Sequence, residues 1–323
     1  MANNKQKVGF VNWCKTYNGQ KYITSILFLL IPVVLLIVFT FIPAFQIIPY
    51  SFQKRTQLTV NPEFVGLDNY KTIFTDPTYL ITFKNSLYYL VGSFLQQILA
   101  LLMASILCAK IRFKGVFKGF LFFPYLMNGV AVSIIFLNFF RAGDIFSPEG
   151  PLNTIITALG GESRVWLSDM EKPWLANCCL VLVSMWRYIG FDILMYIGAI
   201  QSISPDLYEA SDLDGANPWQ RFIYIVFPQI KPIVSLQLIL AVKGAISVFE
   251  IPYIMTSGKN GTSTFVMETI DTAFKKNKLG LASAMAVVLL VIIIIVTLIQ
   301  KYFFRDEETT PKESKKVRKG VRR

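Results

Sequence analysis

Residues 204–232 read SPDLYEASDLDGANPWQRFIYIVFPQIKP, a polar stretch between two apolar ones. Ser204, followed by a proline and an acid, is a typical helix start, because a serine side chain caps the first turn and an acid complements its dipole. Asn217 repeats the signal, with Gln220 at the third position of a capping box. The stretch therefore predicts two short helices that meet at Gly215, the second running on toward the next apolar stretch.

The composition indicates an integral membrane protein. Of 323 residues, 54% are hydrophobic and only 16% are charged, which is too apolar for an ordinary soluble domain. The formal charge of +12 is then a marker of membrane topology and not of nucleic-acid binding. Histidine, the commonest general base and metal ligand, does not occur, and we predict neither a catalytic nor a metal site. Four cysteines without metal-ligand spacing are expected to be buried small hydrophobic residues: Cys14, Cys108, Cys178 and Cys179.

Six apolar stretches are long enough to cross a bilayer, which needs about 20 residues. The first is longer than the apolar core of a cleavable signal, so we expect a retained anchor. We predict an all-α, polytopic membrane protein with a cytoplasmic segment 1–21, a membrane domain 22–304 and a basic, disordered tail 305–323. The predicted spans are 22–48, 85–109, 116–140, 173–200, 227–251 and 279–304.

Positive charge decides the predicted orientation. With the N-terminus inside, the inner segments hold 19 lysine and arginine residues and the outer loops hold 11. Basic residues accumulate on the cytoplasmic side of membrane proteins, so both termini are predicted to be cytoplasmic. The bias is clearest in the acid-free loop 110–118, KIRFKGVFK. The polar loop 201–232 is then cytoplasmic as well.

The polar loop also carries a motif: Tyr208, Glu209, Ala210 and Ser211, then Asp214, Gly215 and Ala216, then Phe222, Ile225, Pro228 and Pro232. This pattern resembles the EAA signature of permease subunits in binding-protein-dependent ABC importers, in the carbohydrate-uptake branch of the maltose and multiple-sugar permeases. Ser211 stands where that family usually has a second alanine. Segments 64–70, 183–191 and 248–256 are similar to the same permeases.

The resemblance implies a six-helix type I importer permease fold in the plasma membrane of a prokaryote. It implies that the EAA loop is a coupling helix seated on a cytoplasmic ATPase subunit; the alternative is a loop that lies on the lipid headgroups. The residues assigned to ATPase coupling on this basis are Tyr208, Glu209, Ala210, Ser211, Asp214, Gly215 and Ala216.

The resemblance also implies a set of partners. These are a second, non-identical permease, two ATPase subunits that hydrolyse ATP with Mg²⁺, and an extracellular binding protein that delivers a sugar or oligosaccharide. The chain itself has no G-x-x-x-x-G-K-[ST] loop to hold phosphates, so we expect no cofactor and no enzymatic activity of its own. A secondary transporter would show a duplicated half, and no convincing repeat relates the two sets of three spans.

Charged and aromatic residues within the fourth and fifth spans are candidates for the substrate path: Trp186, Arg187, Asp192, Lys243, Phe249 and Glu250. Ionisable groups at membrane depth usually face protein or water, and aromatic rings stack on sugar faces. Lys243 and Glu250 are seven residues apart and are predicted to share a helix face, while Arg187 and Asp192 are close enough to share a cavity or an ion pair. The alternative is that these charges reach the interface or pair to fasten the bundle.

The loop after the first span shows two helix starts in succession, at Asp68 and Asp76. We therefore predict short helices at the outer membrane interface, with an apolar side that includes Ile73. This surface either receives the binding protein or is a scaffold that caps the bundle. The outer loop 141–172 holds no insertion large enough for a separate domain.

Overall fold

The computed structural model describes residues 16–108, 112–143 and 148–303. Most of the predicted segment 1–21 and all of the predicted tail 305–323 lie outside these residues, so both assignments remain predictions. Two short strands, β1 (Gln53–Lys54) and β2 (Glu63–Phe64), form an antiparallel pair.

Helices make up nearly all of the rest of the described chain, which confirms the all-α prediction. Two π-helical turns, Ile37–Phe41 and Phe222–Val226, each join two consecutive helices. The helices are α1 (Tyr17–Leu36), α2 (Ile42–Ser51), α3 (Asp68–Thr75), α4 (Pro77–Cys108), α5 (Lys114–Leu126), α6 (Gly129–Phe139), α7 (Pro151–Ala158), α8 (Pro173–Gln201), α9 (Pro205–Leu213), α10 (Pro218–Arg221), α11 (Phe227–Ile246), α12 (Glu250–Thr256), α13 (Phe265–Phe274) and α14 (Leu279–Phe303).

Five helical segments of the described chain are long and apolar enough to cross a membrane. The first combines α1 and α2, and the fourth extends from α10 through α12. The others are α4, α8 and α14. The pair α5 and α6, bent by 96°, supplies the sixth span when it is counted as one.

The third predicted span, 116–140, is wrong as a continuous helix. The chain turns between α5 and α6, where Asn128 Oδ1 accepts a hydrogen bond of 2.8 Å from a backbone N–H and so caps α6. At Gly129 the backbone lies so close to other helices that a Cβ would overlap the side chains of Arg187 and Glu250. An Asn-Gly pair inside an apolar run was the sequence signal for this break.

The segment after the first span also differs from the prediction. Asp68 begins α3, and Ile73 on that helix is completely buried. Asp76 does not begin a second short helix, because its carboxylate caps α4, accepting a hydrogen bond of 2.8 Å from a backbone N–H. This bond holds the pKa of Asp76 below its usual value. The second span therefore begins at Pro77 and not at residue 85.

Small residues bring the membrane helices close together. A Cβ at Gly92 in α4 would overlap Val181 of α8, and a Cβ at Gly190 in α8 would overlap the backbone carbonyl of Leu121 in α5. Lipid tails are as apolar as the side chains, so close packing and polar contacts hold such helices together more than hydrophobic burial does. α4 and α8 form the most extensive helix pair, and α11 packs against both.

Candidate functional site

A cavity of about 500 Å³ lies among α4, α8 and α11, with α5 and α12 at its sides. The wall formed by α4 is a stripe at helical spacing, because positions three, four, seven and eight residues apart share one helix face. The α4 residues in this stripe are Tyr89, Gly92, Ser93, Gln96 and Gln97.

The other walls combine aromatic rings with small and polar groups. α8 contributes Val181, Ser184, Met185, Tyr188, Phe191 and Asp192. The segment from α11 to α12 contributes Leu240, Ala241, Gly244, Ala245, Ser247, Val248, Phe249, Glu250 and Ile251. α5 adds Tyr125, whose ring stacks on that of Phe191 with 4.9 Å between centroids.

One end of the cavity, termed the floor here, is a hydrogen-bonded cluster around Asp192. Its Oδ2 accepts bonds from Nε2 of Gln96 (2.6 Å) and of Gln97 (2.9 Å). Its Oδ1 accepts a bond of 2.9 Å from Nε2 of Gln237. All four side chains are buried. Three amide donors thus satisfy a carboxylate that would be costly at membrane depth, and they join α4, α8 and α11 at one point.

Tyr196 extends the floor cluster away from the cavity. Its hydroxyl donates a hydrogen bond of 2.7 Å to Oε1 of Gln97, and its side chain is buried. Tyr196 also belongs to an apolar cluster that continues along α8 and α11 to Tyr208 and Phe222 in the EAA loop. A packed set of side chains therefore connects the EAA loop to the cavity floor.

A second polar feature beside the cavity, termed the rim, is an ion pair between α8 and α12. Nη1 of Arg187 lies 2.6 Å from Oε2 of Glu250 and donates to the hydroxyl of Tyr188 at 3.2 Å. The side chain of Arg187 is only 12% exposed, whereas that of Glu250 is 40% exposed. Glu250 therefore compensates a largely buried positive charge.

The structure shows neither the ion pair considered for Arg187 and Asp192 nor the helix face predicted to be shared by Lys243 and Glu250. Arg187 pairs with Glu250 and not with Asp192, which the amides of the floor hold instead. Lys243 and Glu250 do not share a helix face, because α11 ends at Ile246 and a non-helical break precedes α12. Fixed helical spacing does not hold across that break.

Three of the six residues predicted for the substrate path line the cavity: Asp192, Phe249 and Glu250. The other three are outside its lining: Trp186, Arg187 and Lys243. The ring of Trp186 packs edge-on against Phe136, with 5.1 Å between centroids, and Lys243 is exposed. The α4 stripe was not predicted, although Ser93, Gln96 and Gln97 are polar residues at helical spacing within an apolar run and were a readable signal.

The EAA loop begins and turns as predicted. The Ser204 hydroxyl oxygen accepts a hydrogen bond of 3.3 Å from a backbone N–H at the start of α9, and Gly215 has a positive φ of 71°. Asn217 and Gln220 form a reciprocal capping box, with bonds of 2.8 and 2.9 Å. The second helix runs on toward the next apolar stretch, as predicted. It continues through a π-helical turn into α11, so its direction is fixed by the fifth span.

The EAA residues divide between the bundle and the surface. Ser211 is buried and donates a hydrogen bond of 2.7 Å to the backbone oxygen of Tyr208. Tyr208 is half-buried against the apolar cluster, and this burial raises the pKa of its hydroxyl. Ala216 is also half-buried. The exposed signature residues are Glu209, Ala210, Asp214 and Gly215.

An ion pair between Asp212 and Arg221 joins the two helices of the EAA loop across the glycine corner. Large apolar side chains beside this corner are exposed, with Leu213 at 90% and Trp219 at 65%. The corner thus combines an ion pair between its two helices with exposed apolar side chains. Among the described residues, no group of three or more acidic or cysteine side chains could hold a metal ion.

Comparison with protein families decides what kind of protein carries these features. The family model described as binding-protein-dependent transport system inner membrane component matches residues 96–308. The chain belongs to this family. Members of this family are membrane components of a transport system, so the chain is a transport subunit and not an enzyme. The match includes both the floor cluster and the EAA loop.

Relatives cover most of the chain. The probable ABC transporter permease protein YurN of Bacillus subtilis is 33% identical over 84% of this chain and 92% of that protein. The multiple sugar-binding transport system permease protein MsmF of Streptococcus mutans is 31% identical over 81% of this chain and 88% of that protein. A bacterial ABC transporter for import of the acidic polysaccharide alginate has the same fold, with a TM-score of 0.77 at 20% identity over 90% of this chain and 98% of that one.

Proposed function

We propose that this permease forms one half of a gated sugar path in an ATP-driven importer of a prokaryotic plasma membrane. Its proposed partners are a second, non-identical permease, two ATPase subunits that bind ATP and Mg²⁺, and an extracellular sugar-binding protein. The observation that carries the proposal is the floor cluster, because it borders the cavity on one side and packs through Tyr196 toward the EAA loop on the other.

The chemistry of the cavity supports a sugar as substrate. Sugars present hydroxyl groups around a ring with apolar faces, and they need hydrogen-bonding groups beside flat apolar surfaces. The cavity offers amides from Gln96 and Gln97, a hydroxyl from Ser93, and the rings of Tyr125 and Phe249. Relatives named for multiple sugars and for arabinooligosaccharides support the same assignment.

The proposed path uses the predicted residues in different ways. Asp192, Phe249 and Glu250 face the cavity and belong to its lining, whereas Arg187 acts by holding Glu250 in place. Trp186 and Lys243 would reach the path only where the second permease completes it.

The EAA loop is the proposed contact with the ATPase subunit. Its capped helix α9 has small residues that permit close approach, and Glu209 offers an exposed charge on the same helix. Tyr208 faces the apolar cluster, so a movement of α9 would be transmitted to α8 and α11. The assigned coupling residues are Tyr208, Glu209, Ala210, Ser211, Asp214, Gly215 and Ala216.

The proposal is tested by reconstitution. The chain is produced with its partner permease and ATPase subunits, and the complex is placed in liposomes that enclose ATP and Mg²⁺. The binding protein and the sugar are added outside, so only complexes with their ATPase subunits inside the liposome are active. We expect sugar uptake that requires ATP and the binding protein. A complex whose ATPase subunits lack the phosphate-binding lysine is the control and should transport nothing. Failure of the active complex to move any saccharide would overturn the proposal.

A further inference from the structure

The cavity bears negative charge without a balancing positive group in its lining. Its acidic lining residues are Asp192 at the floor and Glu250 at the rim, and its described lining includes no lysine or arginine. Three amide donors around Asp192 are the arrangement expected for an ionised carboxylate, because an ionised carboxylate only accepts hydrogen bonds.

The ion pair of Arg187 with Glu250 does not supply a positive charge to the cavity lining. Arg187 directs Nη1 at Glu250 and is absent from the lining, so its guanidinium neutralises the rim acid and is not offered to a substrate. The floor carboxylate has only neutral donors around it. A negatively charged substrate group would meet an unbalanced like charge there, and the juxtaposition of like charges costs several kcal/mol in general.

An unpartnered hydroxyl also borders this cavity. Tyr89 is 4% exposed, and within the described residues its hydroxyl has no hydrogen-bond partner. A sugar hydroxyl can both donate and accept, so its chemistry suits a phenol hydroxyl such as that of Tyr89 as well as acceptors such as those of the floor. A carboxylate on the sugar can only accept, and it would find no charged donor in the lining.

We infer that the cavity accepts uncharged saccharides and rejects sugars that carry a carboxylate. This inference rests on the proposed function, since it names the substrate class of the same path. It concerns this chain's side of the path and follows from the lining residues alone.

The test measures occupancy of the cavity without relying on the binding protein's own preference. Ser93→Cys is introduced into the complete complex, with the four native cysteines replaced by alanine, and its alkylation by a small maleimide is followed. The probes are neutral maltotriose, arabinotriose and galactotriose, and the forms of maltotriose and galactotriose oxidised to carboxylates at C6. A cysteine at Ser105, on α4 but outside the cavity lining, is the control for general effects on labelling.

At least one neutral trisaccharide should slow labelling at position 93, and the acids should need a concentration at least about tenfold higher for equal protection. Asp192→Asn removes the floor charge and should therefore narrow this ratio about tenfold. The cluster should stay hydrogen-bonded, because the amides of Gln96 and Gln97 can turn to accept from the new amide. Asp271→Asn removes an acid outside the lining and should leave the ratio unchanged.

Equal protection by neutral and acidic sugars, or an Asp192→Asn ratio equal to that of the parent, would overturn this inference and leave the proposed function standing. Protection by no saccharide of either kind would overturn the proposed function, and this inference with it.

Discussion

The hydroxyl of Tyr196 donates a hydrogen bond of 2.7 Å to Oε1 of Gln97, the same amide whose Nε2 donates to Asp192. Gln97 therefore links the buried side chains of Tyr196 and Asp192. Tyr196 packs in the cluster that reaches the EAA loop, and Asp192 borders the cavity. This contact is a direct polar connection between the cavity floor and the cluster that reaches the EAA loop.

Removal of the Tyr196 hydroxyl should weaken that connection. Tyr196→Phe leaves Oε1 of Gln97 buried without its donor, and we expect a loss of about 1 kcal/mol in the free energy of unfolding. ATP hydrolysis should also become less dependent on sugar. Thermal unfolding and ATPase assays of the purified complex measure the two effects. Tyr17→Phe, which removes a hydroxyl from an 81% exposed side chain, is the matched control, and equal behaviour of both variants would contradict the prediction.

The rim ion pair should show strong coupling in a double-mutant cycle. Glu250→Gln leaves the largely buried guanidinium of Arg187 without a counter-charge, which should cost about 3 kcal/mol of stability. Arg187→Met combined with Glu250→Gln should recover part of this loss, because the isolated charge is gone. Thermal unfolding of the two single variants and the double variant gives the coupling energy. Additive losses would show that the pair contributes no interaction of its own.

The glycine corner should tolerate asparagine but not valine. Gly215 has a φ of 71°, and a Cβ there would meet no atom within 4 Å, so any penalty comes from the backbone. Asparagine adopts this conformation far more readily than a β-branched residue, and Gly215→Val should cost about 1–2 kcal/mol locally. We expect Gly215→Val to weaken retention of the ATPase subunits in pull-down assays while Gly215→Asn retains them. Equal retention in both variants would contradict a role for the corner.

Glu209 should act as a charged anchor for the ATPase subunit. It is exposed in the isolated chain, so Glu209→Ala should leave its folding unchanged and act only on the complex. Truncation of one partner in a partly buried interfacial ion pair costs about 2–5 kcal/mol, which would release the ATPase subunit at ordinary concentrations. Glu162→Ala, in an exposed position between α7 and α8, is the control. Full transport by the Glu209→Ala variant would show that Glu209 is not an anchor for the ATPase subunit.

Labelling from outside the cell tests the orientation. The basic surplus places position 114 inside and position 163 outside, and both residues are exposed. In a cysteine-free background, Ser163→Cys should react with a membrane-impermeant maleimide on intact cells, and Lys114→Cys should react only after the cells are opened. Reaction of position 114 on intact cells would show that the predicted orientation is wrong.

Local signals in the sequence predicted the caps of the EAA loop, because Ser204, Asn217 and Gln220 bond to backbone groups within three residues. Local signals of this kind could not predict the floor cluster. Asp192 meets Gln96 and Gln237 across separations of 96 and 45 residues, and these contacts depend on how three helices pack. Helical spacing also failed at Lys243 and Glu250, where the helix breaks. Contacts between helices that are distant in the sequence, and breaks within helices, could therefore not be predicted from local sequence patterns.

The cavity among α4, α8 and α11 is the proposed sugar path. Gly244 lines this cavity, and a Cβ there would meet no atom within 4 Å, so a tryptophan at this position would fill the cavity without a backbone clash. Gly198 in α8 has the same free space and is exposed like Gly244, but it lies outside the cavity lining.

Uptake of sugar by the reconstituted complex should therefore be compared for Gly244→Trp and Gly198→Trp. We predict that both complexes assemble, that Gly244→Trp lowers uptake at least about a hundredfold, and that Gly198→Trp transports like the parent. Uptake by an assembled Gly244→Trp complex at the parent rate would show that this cavity is not the sugar path.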